Sequence, residues 1–316
     1  MIKYHVKTDG VLTELTEPTP GCWVNISSPF TQEELVELSQ QFDIPLDFLT
    51  DSLDLDERSR YEREDGVKLI VLNTPMLNEF DTDIDAMFVT VPIGIILTGE
   101  YMFTITAHKN PIIERFLENK VKNFNPGDYS EFVLKLLEQT VLRYTTCLKQ
   151  LNLKRNLIER ELYDSSRNRE LKQLLSIEKS LVYFLNSLSA NELLKMKMKR
   201  TDFLNIRGDE VLTDLFEDII IDNSQALEMS KVYTEILNGT MDAYSSIISN
   251  NLNVVIQRLT SITIILMVPT LVASFYGMNV NGLPFNENNY AFYLILIISL
   301  FISLALAWYF QRKSLF

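Results

Sequence analysis

The strongest constraint on this chain lies near its C-terminal end, where two long runs carry no charged residue. Residues 259–277 read LTSITIILMVPTLVASFYG, and residues 290–310 read YAFYLILIISLFISLALAWYF. A helix rises about 1.5 Å per residue, so about 20 apolar residues match a hydrocarbon layer of about 30 Å, and each run is long enough to cross one. The second run is apolar on every face, whereas a helix packed on a water-soluble core needs only one apolar stripe. Aromatic residues (Tyr276, Tyr290, Phe292, Tyr293, Trp308, Tyr309 and Phe310) stand near the ends of the runs, where interfacial belts form. Basic residues orient the pair. Arg258, Arg312 and Lys313 flank the other ends, and the connecting segment 278–289 has no Lys or Arg. The expected topology is multi-pass, with that segment as an extracellular loop and both termini in the cytoplasm.

The remainder is chemically different. Of 29 basic and 42 acidic residues, all but Glu287, Arg312 and Lys313 lie at or before Arg258, so residues 1–258 hold 27 basic and 41 acidic residues, a formal charge of −14. No basic face is present to neutralise phosphates, and nucleic acid is not expected as a partner. The start, MIKYHVKTDG, is charged and is not expected to be a secretory signal. Cys22 and Cys147, far apart, suit a reducing compartment and offer no disulfide framework. With only His5 and His108, a histidine-rich zinc site is not expected. No paired acid and base, nucleophile constellation or phosphate-binding GxxxxGK[ST] loop stands out, so the chain is not expected to be an enzyme or to need ATP.

Residues 1–125 read as an α/β domain. Strand-like runs are IKYHVK (2–7), CWVNI (22–26), VKLIVLN (67–73), MFVTV (87–91) and YMFTIT (101–106). Thr31 with Glu34 forms a capping box that opens a helix through about Phe42, and Pro45 begins a second, short helix. From Tyr129 the period becomes helical. Leu134, Leu137, Val141, Tyr144, Leu148, Leu151 and Leu153 form one apolar stripe; Leu171, Leu174, Leu175, Ile177, Leu181, Phe184, Leu185 and Leu188 form another. After a turn at Gly208, a helix from about Asp209 runs unbroken into the membrane, about 100 Å long at 1.5 Å per residue. Such a helix must pack on the preceding helices or on copies of itself. The expected organisation is the α/β domain, a helical hairpin region over 126–207, a stalk helix over 208–277 that becomes the first span at about 259, the loop 278–289, a second span over 290–310 and a basic cytoplasmic tail over 311–316.

Steps of three and four along the long helix give Asp242, Ser245, Ser249, Asn253, Ile256, Leu259 or Thr260, Thr263, Met267, Thr270 and Ser274 on one face. Within hydrocarbon, polar groups face protein or water. The seam alone suits pore lining and plain helix–helix packing equally, since Ser and Thr also glue helices together. Two spans cannot enclose a conduit, so a conducting seam requires a ring of identical chains.

The seam ends at Tyr276-Gly277-Met278-Asn279, followed by a short loop, a final span and a basic tail, an arrangement that resembles the CorA family of divalent-cation channels. Leu55-Asp56-Glu57-Arg58-Ser59-Arg60-Tyr61-Glu62 resembles the family's acidic–basic segment. Asp242-Ala243-Tyr244, Ser249-Asn250-Asn251-Leu252-Asn253 and Met267-Val268-Pro269-Thr270 stand where its stalk and first span carry similar residues. The resemblance implies a funnel-shaped homopentamer in the plasma or inner membrane, with the long helix lining the pore. It implies that Mg²⁺ is both the transported and the regulatory ion. Gly277, Met278 and Asn279 become the selectivity loop for hydrated Mg²⁺, and Thr270 and Asn253 polar rings. Ile256, Leu259 and Met267 become the hydrophobic gate, Asp242 an acidic ring, and Asp218 a carboxylate of the regulatory site that closes the channel. The family's loop often reads Met-Pro-Glu-Leu where this chain has Leu283-Pro284-Phe285-Asn286, so no acidic ring is expected at Phe285. Zn²⁺, Co²⁺ or Ni²⁺ transport on the same architecture, and a non-conducting membrane scaffold, are the competing expectations. Asp51, Asp54, Asp56, Glu57, Glu62 and Glu64 are read either as a solvated surface or as cation sensors.

Overall fold

The computed structural model describes residues 1–316 apart from 9, 80–85, 165–167, 279, 281–283, 285–289 and 314–316, and apart from the side chains of 161–164, 168 and 291. Seven strands form one sheet: β1 (Ile2–Thr8), β2 (Val11–Leu15), β3 (Trp23–Ser27), β4 (Arg60–Glu64), β5 (Val67–Leu77), β6 (Phe88–Leu97) and β7 (Met102–Thr106). Their order is β2-β1-β3-β7-β6-β5-β4, with β3 and β7 parallel and every other pair antiparallel. The central strands are apolar at successive positions because both faces are covered. Val24, Leu69, Val71, Ile96, Phe103 and Ile105 pack beneath α1 (Gln32–Phe42) and α2 (Leu46–Asp51), against Leu35, Leu38, Phe48 and Leu49. Trp23, Ile70, Leu72, Ile93, Ile95 and Met102 face the other way, onto α3 (Pro111–Leu117), α4 (Tyr129–Asp164), α5 (Asn168–Thr201) and the start of α6 (Glu210–Tyr276).

Helix starts follow side-chain chemistry. Thr31 accepts from the Glu34 amide at 3.2 Å while the Glu34 carboxylate takes the Thr31 amide at 2.8 Å, so the capping box is formed and α1 begins one residue later. Pro45 precedes α2 as expected. Asp209 caps α6 through the Leu212 amide at 3.0 Å. The two long stripes need correction. Leu153 is 63% exposed and Leu175 is also exposed. Leu153 follows the buried Leu151 by two residues, about 200° around the helix, and so cannot share its face.

The sheet extends further than the apolar runs suggested. β5 continues to Leu77 through Pro75, and β6 to Leu97 through Pro92. Proline has no amide to give a ladder, and it is tolerated where a strand has a free side. Pro75 is paired only with β6, because β4 leaves β5 at Val71; Pro92 is paired only with β5, because β7 joins β6 at Gly94.

The acidic–basic segment becomes the edge strand β4 and its approach. Arg60 binds Asp51 at 2.8 Å, Glu57 at 2.9 Å and also Glu62, so three of the six carboxylates read as possible sensors are already neutralised. The segment is pinned inward: Ser59 Oγ donates to Asn191 Oδ1 at 2.6 Å, and Asn191 Nδ2 donates to the Asn73 carbonyl at 2.8 Å, which the Tyr144 hydroxyl also reaches at 3.0 Å. Deeper between α5 and α6, the fully buried Lys195 ammonium donates to Asn223 Oδ1 at 2.6 Å. Burial pulls its pKa down to about 7, against the opposing pull of Glu192.

The chain divides into two units, Met1–Thr240 and Met241–Phe316. The second comprises the rest of α6 and α7 (Ala291–Arg312). Both helices contain stretches long and apolar enough to cross a membrane, and only 6% of either stretch is buried within the protomer.

Candidate ion pathway

Which side of α6 is committed to α7 decides what the seam can do. Between Leu259 and Tyr276 the buried or half-buried positions are Ser261, Ile265, Val268, Pro269, Val272 and Tyr276. Ser303 of α7 reaches the Ile265 carbonyl at 3.4 Å, so this is the face that α7 covers. Thr263, Met267, Thr270 and Ser274 follow Ser261, Ile265, Val268 and Val272 by two residues each. They therefore lie about 200° away, on the opposite side. All four are exposed, as are Ser249, Asn253, Ile256 and Leu259 below them, and Asp242 further down. Met267 is 63% and Ile256 52% exposed.

The seam hydroxyls are oriented by their own helix. Ser249, Thr263 and Thr270 donate to the carbonyls of Ser245, Leu259 and Leu266 at 3.0, 2.8 and 3.0 Å. With the single proton spent inward, each oxygen presents only acceptor lone pairs outward. Asn253 adds an exposed amide. Arg258 lies about 200° from Ile256 and does not join the seam. The face therefore offers uncharged acceptors and apolar bulk, with one carboxylate at Asp242.

At the C-terminal end of α6, Gly277 donates to the Ala273 carbonyl at 2.9 Å, and Met278 donates to the Phe275 carbonyl at 3.3 Å. Gly277 does not adopt the left-handed conformation of a glycine cap. A Cβ there would lie 3.3 Å from the Ala273 oxygen, a tight contact that a shift of a few tenths of an ångström would relieve. Met278 is exposed, and Asn279 lies outside the described residues. The Tyr276 hydroxyl donates to the Pro284 carbonyl at 3.2 Å, tying the helix end to the loop, a role that its aromatic character alone did not reveal.

Asp218 lies in the first unit, exposed on α6 between the exposed Asp214 and Asp222. Like charges at i,i+4 repel by a few tenths of a kcal/mol per pair, a cost that a bound cation relieves. Among the described residues, no group of three or more His, Cys, Asp or Glu side chains converges as a metal site within one protomer. Sequence reasoning also missed Ser261, Ser299 and Ser303, which with Tyr244 are the buried described residues of the second unit. The Ser299-xxx-Ser303 spacing was the available signal, since small residues four apart let helices approach closely.

A seven-stranded α/β layer domain followed by two apolar helices, the first bearing an exposed polar seam, is the architecture of a two-span membrane protein. Residues 20–312 match the family described as CorA-like Mg²⁺ transporter protein, and the chain belongs to that family. It is 29% identical over 297 residues to the cobalt/magnesium transport protein CorA of Methanocaldococcus jannaschii, covering 92% of this chain and 90% of that one. The complete structure of the CorA magnesium transporter from M. jannaschii superposes with a TM-score of 0.81 at 26% identity, covering 99% of this chain and 98% of the other. The cytoplasmic domain of ZntB from Vibrio parahaemolyticus shares the fold alone, with a TM-score of 0.61 at 8% identity over 78% of this chain and 98% of that one.

Proposed function

We propose that the chain is one protomer of a passive, gated Mg²⁺ channel of the plasma or inner membrane, formed by five copies around a common axis. The observation that carries this reading is the exposed seam of α6, turned away from α7 inside an apolar stretch. In lipid those acceptors would be unsatisfied, whereas around an axis they meet water and ions. The number of copies comes from the family resemblance. In this arrangement residues 278–289 lie outside, both termini are cytoplasmic, and the segment boundaries at 125, 207, 277, 289 and 310 separate the working parts.

Mg²⁺ dehydrates reluctantly and demands octahedral geometry, so a filter that touches its water shell avoids most of the dehydration cost. Gly277, Met278 and Asn279 supply neutral carbonyl and amide oxygens for that shell. A tight carboxylate cage would hold the ion too firmly to conduct. Thr270 and Asn253 act as acceptor rings; Ile256, Leu259 and Met267 form a constriction that empties of water when closed; and Asp242 gathers cations below it. The membrane potential drives entry with about 4.6 kcal/mol per 100 mV for two charges crossing fully. Intracellular Mg²⁺ at Asp218, completed by a neighbouring copy, holds the closed state.

Relatives are named for magnesium and cobalt transport, and the ZntB likeness reaches only the fold. The deciding experiment is flux into proteoliposomes containing the purified full chain, read with dyes specific for Mg²⁺, Co²⁺, Ni²⁺ and Zn²⁺. Mg²⁺ entry without ATP or a proton gradient is expected. Zn²⁺ entry that excludes Mg²⁺ would establish the transition-metal reading, and no flux of any ion the scaffold reading.

A further inference from the structure

Pro269 stands inside α6, and its ring nitrogen carries no hydrogen. In an unbroken helix the amide of residue 269 would serve the carbonyl of Ile265. That carbonyl is thus left without its amide donor in the middle of an apolar stretch, where no water replaces it. Among the described residues one side-chain donor stands within reach: Ser303 Oγ of α7 lies 3.4 Å from the Ile265 oxygen and 3.0 Å from the Ser299 oxygen.

A hydroxyl has one proton to divide between these two acceptors. The Ser299 carbonyl already receives the backbone amide of Ser303 through the ordinary ladder of α7. The Ile265 carbonyl has no equivalent. The proton therefore gains more on the longer contact than its length suggests, because leaving a buried acceptor empty costs more than a second bond to a satisfied one gains. The surroundings make the approach possible, since Ser261, Ser299 and Ser303 are buried and small, allowing α7 to lie close to α6 here. Met267 and Thr270 stand two residues before and one after Pro269, on the exposed seam.

We propose that Ser303 is a positioning residue for ion conduction: its hydroxyl donates to the Ile265 carbonyl that Pro269 leaves without an amide donor, and so fixes the course of α6 between Met267 and Thr270. The hydrogen bond stands on the geometry of the two spans; its effect on conduction rests on the reading of α6 as the pore helix.

The test is a four-member cycle in the full-length protein: wild type, Ser303→Ala, Pro269→Ala and the double variant. Two quantities are read, the thermal unfolding midpoint and the internal Mg²⁺ concentration that half-closes flux in proteoliposomes. Ser303→Ala should lower the midpoint by about 2–4 °C and move the half-closing concentration by about fivefold or more. In the Pro269→Ala background the new amide serves Ile265, so the same substitution should change neither quantity appreciably. Ser303→Thr, which keeps the hydroxyl, should retain wild-type values. Equal effects of Ser303→Ala with and without Pro269, or no effect in either background, overturn the proposal. If the wild type conducts no ion, the channel reading fails, while the thermal cycle still decides whether the bond exists.

Discussion

The two units of this chain use apolar residues in opposite ways. In Met1–Thr240 most of them are spent internally: all five residues of β7 are buried, and Trp23, Phe103, Phe116 and Phe132 are fully enclosed, although Leu153, Leu157, Val211 and Ile221 stay exposed. In Met241–Phe316 they are displayed, with 6% of each membrane-length stretch buried. Polar groups are reversed as well. Asn73, Asn191 and Asn223 are buried and paired in the first unit, whereas Asn253, Thr263 and Thr270 are exposed in the second, their acceptor oxygens without a donor among the described residues. In a bilayer, lipid can cover the apolar surfaces of the second unit, whereas exposed polar groups such as those of the seam are satisfied only by protein or water.

That contrast predicts where substitutions act. The largest effect is expected at Asn279. Asn279→Ala should cut Mg²⁺ flux by more than about tenfold, the equivalent of about 1.4 kcal/mol, which one hydrogen bond to a charged partner commonly supplies. Thermal stability should hold, which separates a loss of flux from a loss of folded protein. Uptake at the wild-type rate by correctly inserted Asn279→Ala protein would remove the residue from the filter. A smaller effect is expected at Asp218, which belongs to the first unit but faces outward. Asp218→Ala should leave flux at low internal Mg²⁺ intact and raise the concentration needed for closing by roughly 5-fold or more, within the usual range for coupled sites. An unchanged closing curve rules it out as a regulatory carboxylate.

Lys195 sharpens the internal half of the comparison. Its folded pKa of about 7 lies below the ordinary value of 10.5, so between those values the unfolded chain holds a proton that the folded chain has lost. Stability must then rise as pH increases from about 7 to about 10.5, by up to about 1.4 kcal/mol per pH unit. Below about pH 7 the ammonium is charged in both states and this slope disappears. Lys195→Met should flatten the rise and raise stability at low pH, because a buried charge with one neutral hydrogen-bond partner is exchanged for an apolar chain of similar length. Denaturation midpoints at pH 6.5, 7.5, 8.5 and 9.5 measure it; parallel curves for the two proteins would show that Lys195 does not titrate in this window.

Much of this was legible from spacing. The capping box placed α1, the charge-free runs placed α7 and the end of α6, and the three-and-four stepping isolated the seam. Strand β4 was not legible, because Arg60-Tyr61-Glu62-Arg63-Glu64 has the composition of an exposed edge and gains its place by pairing with β5. The continuations of β5 and β6 were hidden by Pro75 and Pro92, whose tolerance depends on where neighbouring strands stop. Likewise the seam's orientation relative to α7 depends on how the two helices pack: a helical wheel groups Thr263 with Met267, but the Ser303–Ile265 contact and the burial of Ser261 show which side is already taken. The partners of Lys195 and Arg60 come from distant segments, and no local pattern announces them.

The smallest effect is expected at Leu153, and it tests the boundary between the two uses of apolar surface. The sequence groups Leu153 with Leu151, yet Leu151 is 1% exposed and Leu153 63%. Exposed substitutions away from special features change stability by about 0.5 kcal/mol or less. Leu153→Gln in the full-length chain should therefore leave the unfolding midpoint and the closing response unchanged, because the side chain supports neither the core of its own unit nor the pore. A stability loss near the 2–5 kcal/mol typical of truncating a core leucine would place Leu153 inside the first unit, whereas a loss confined to the assembled oligomer would place it against a second copy. With neither change, the outward face of α4 at Leu153 is ordinary solvated surface, where singly exposed apolar side chains are common.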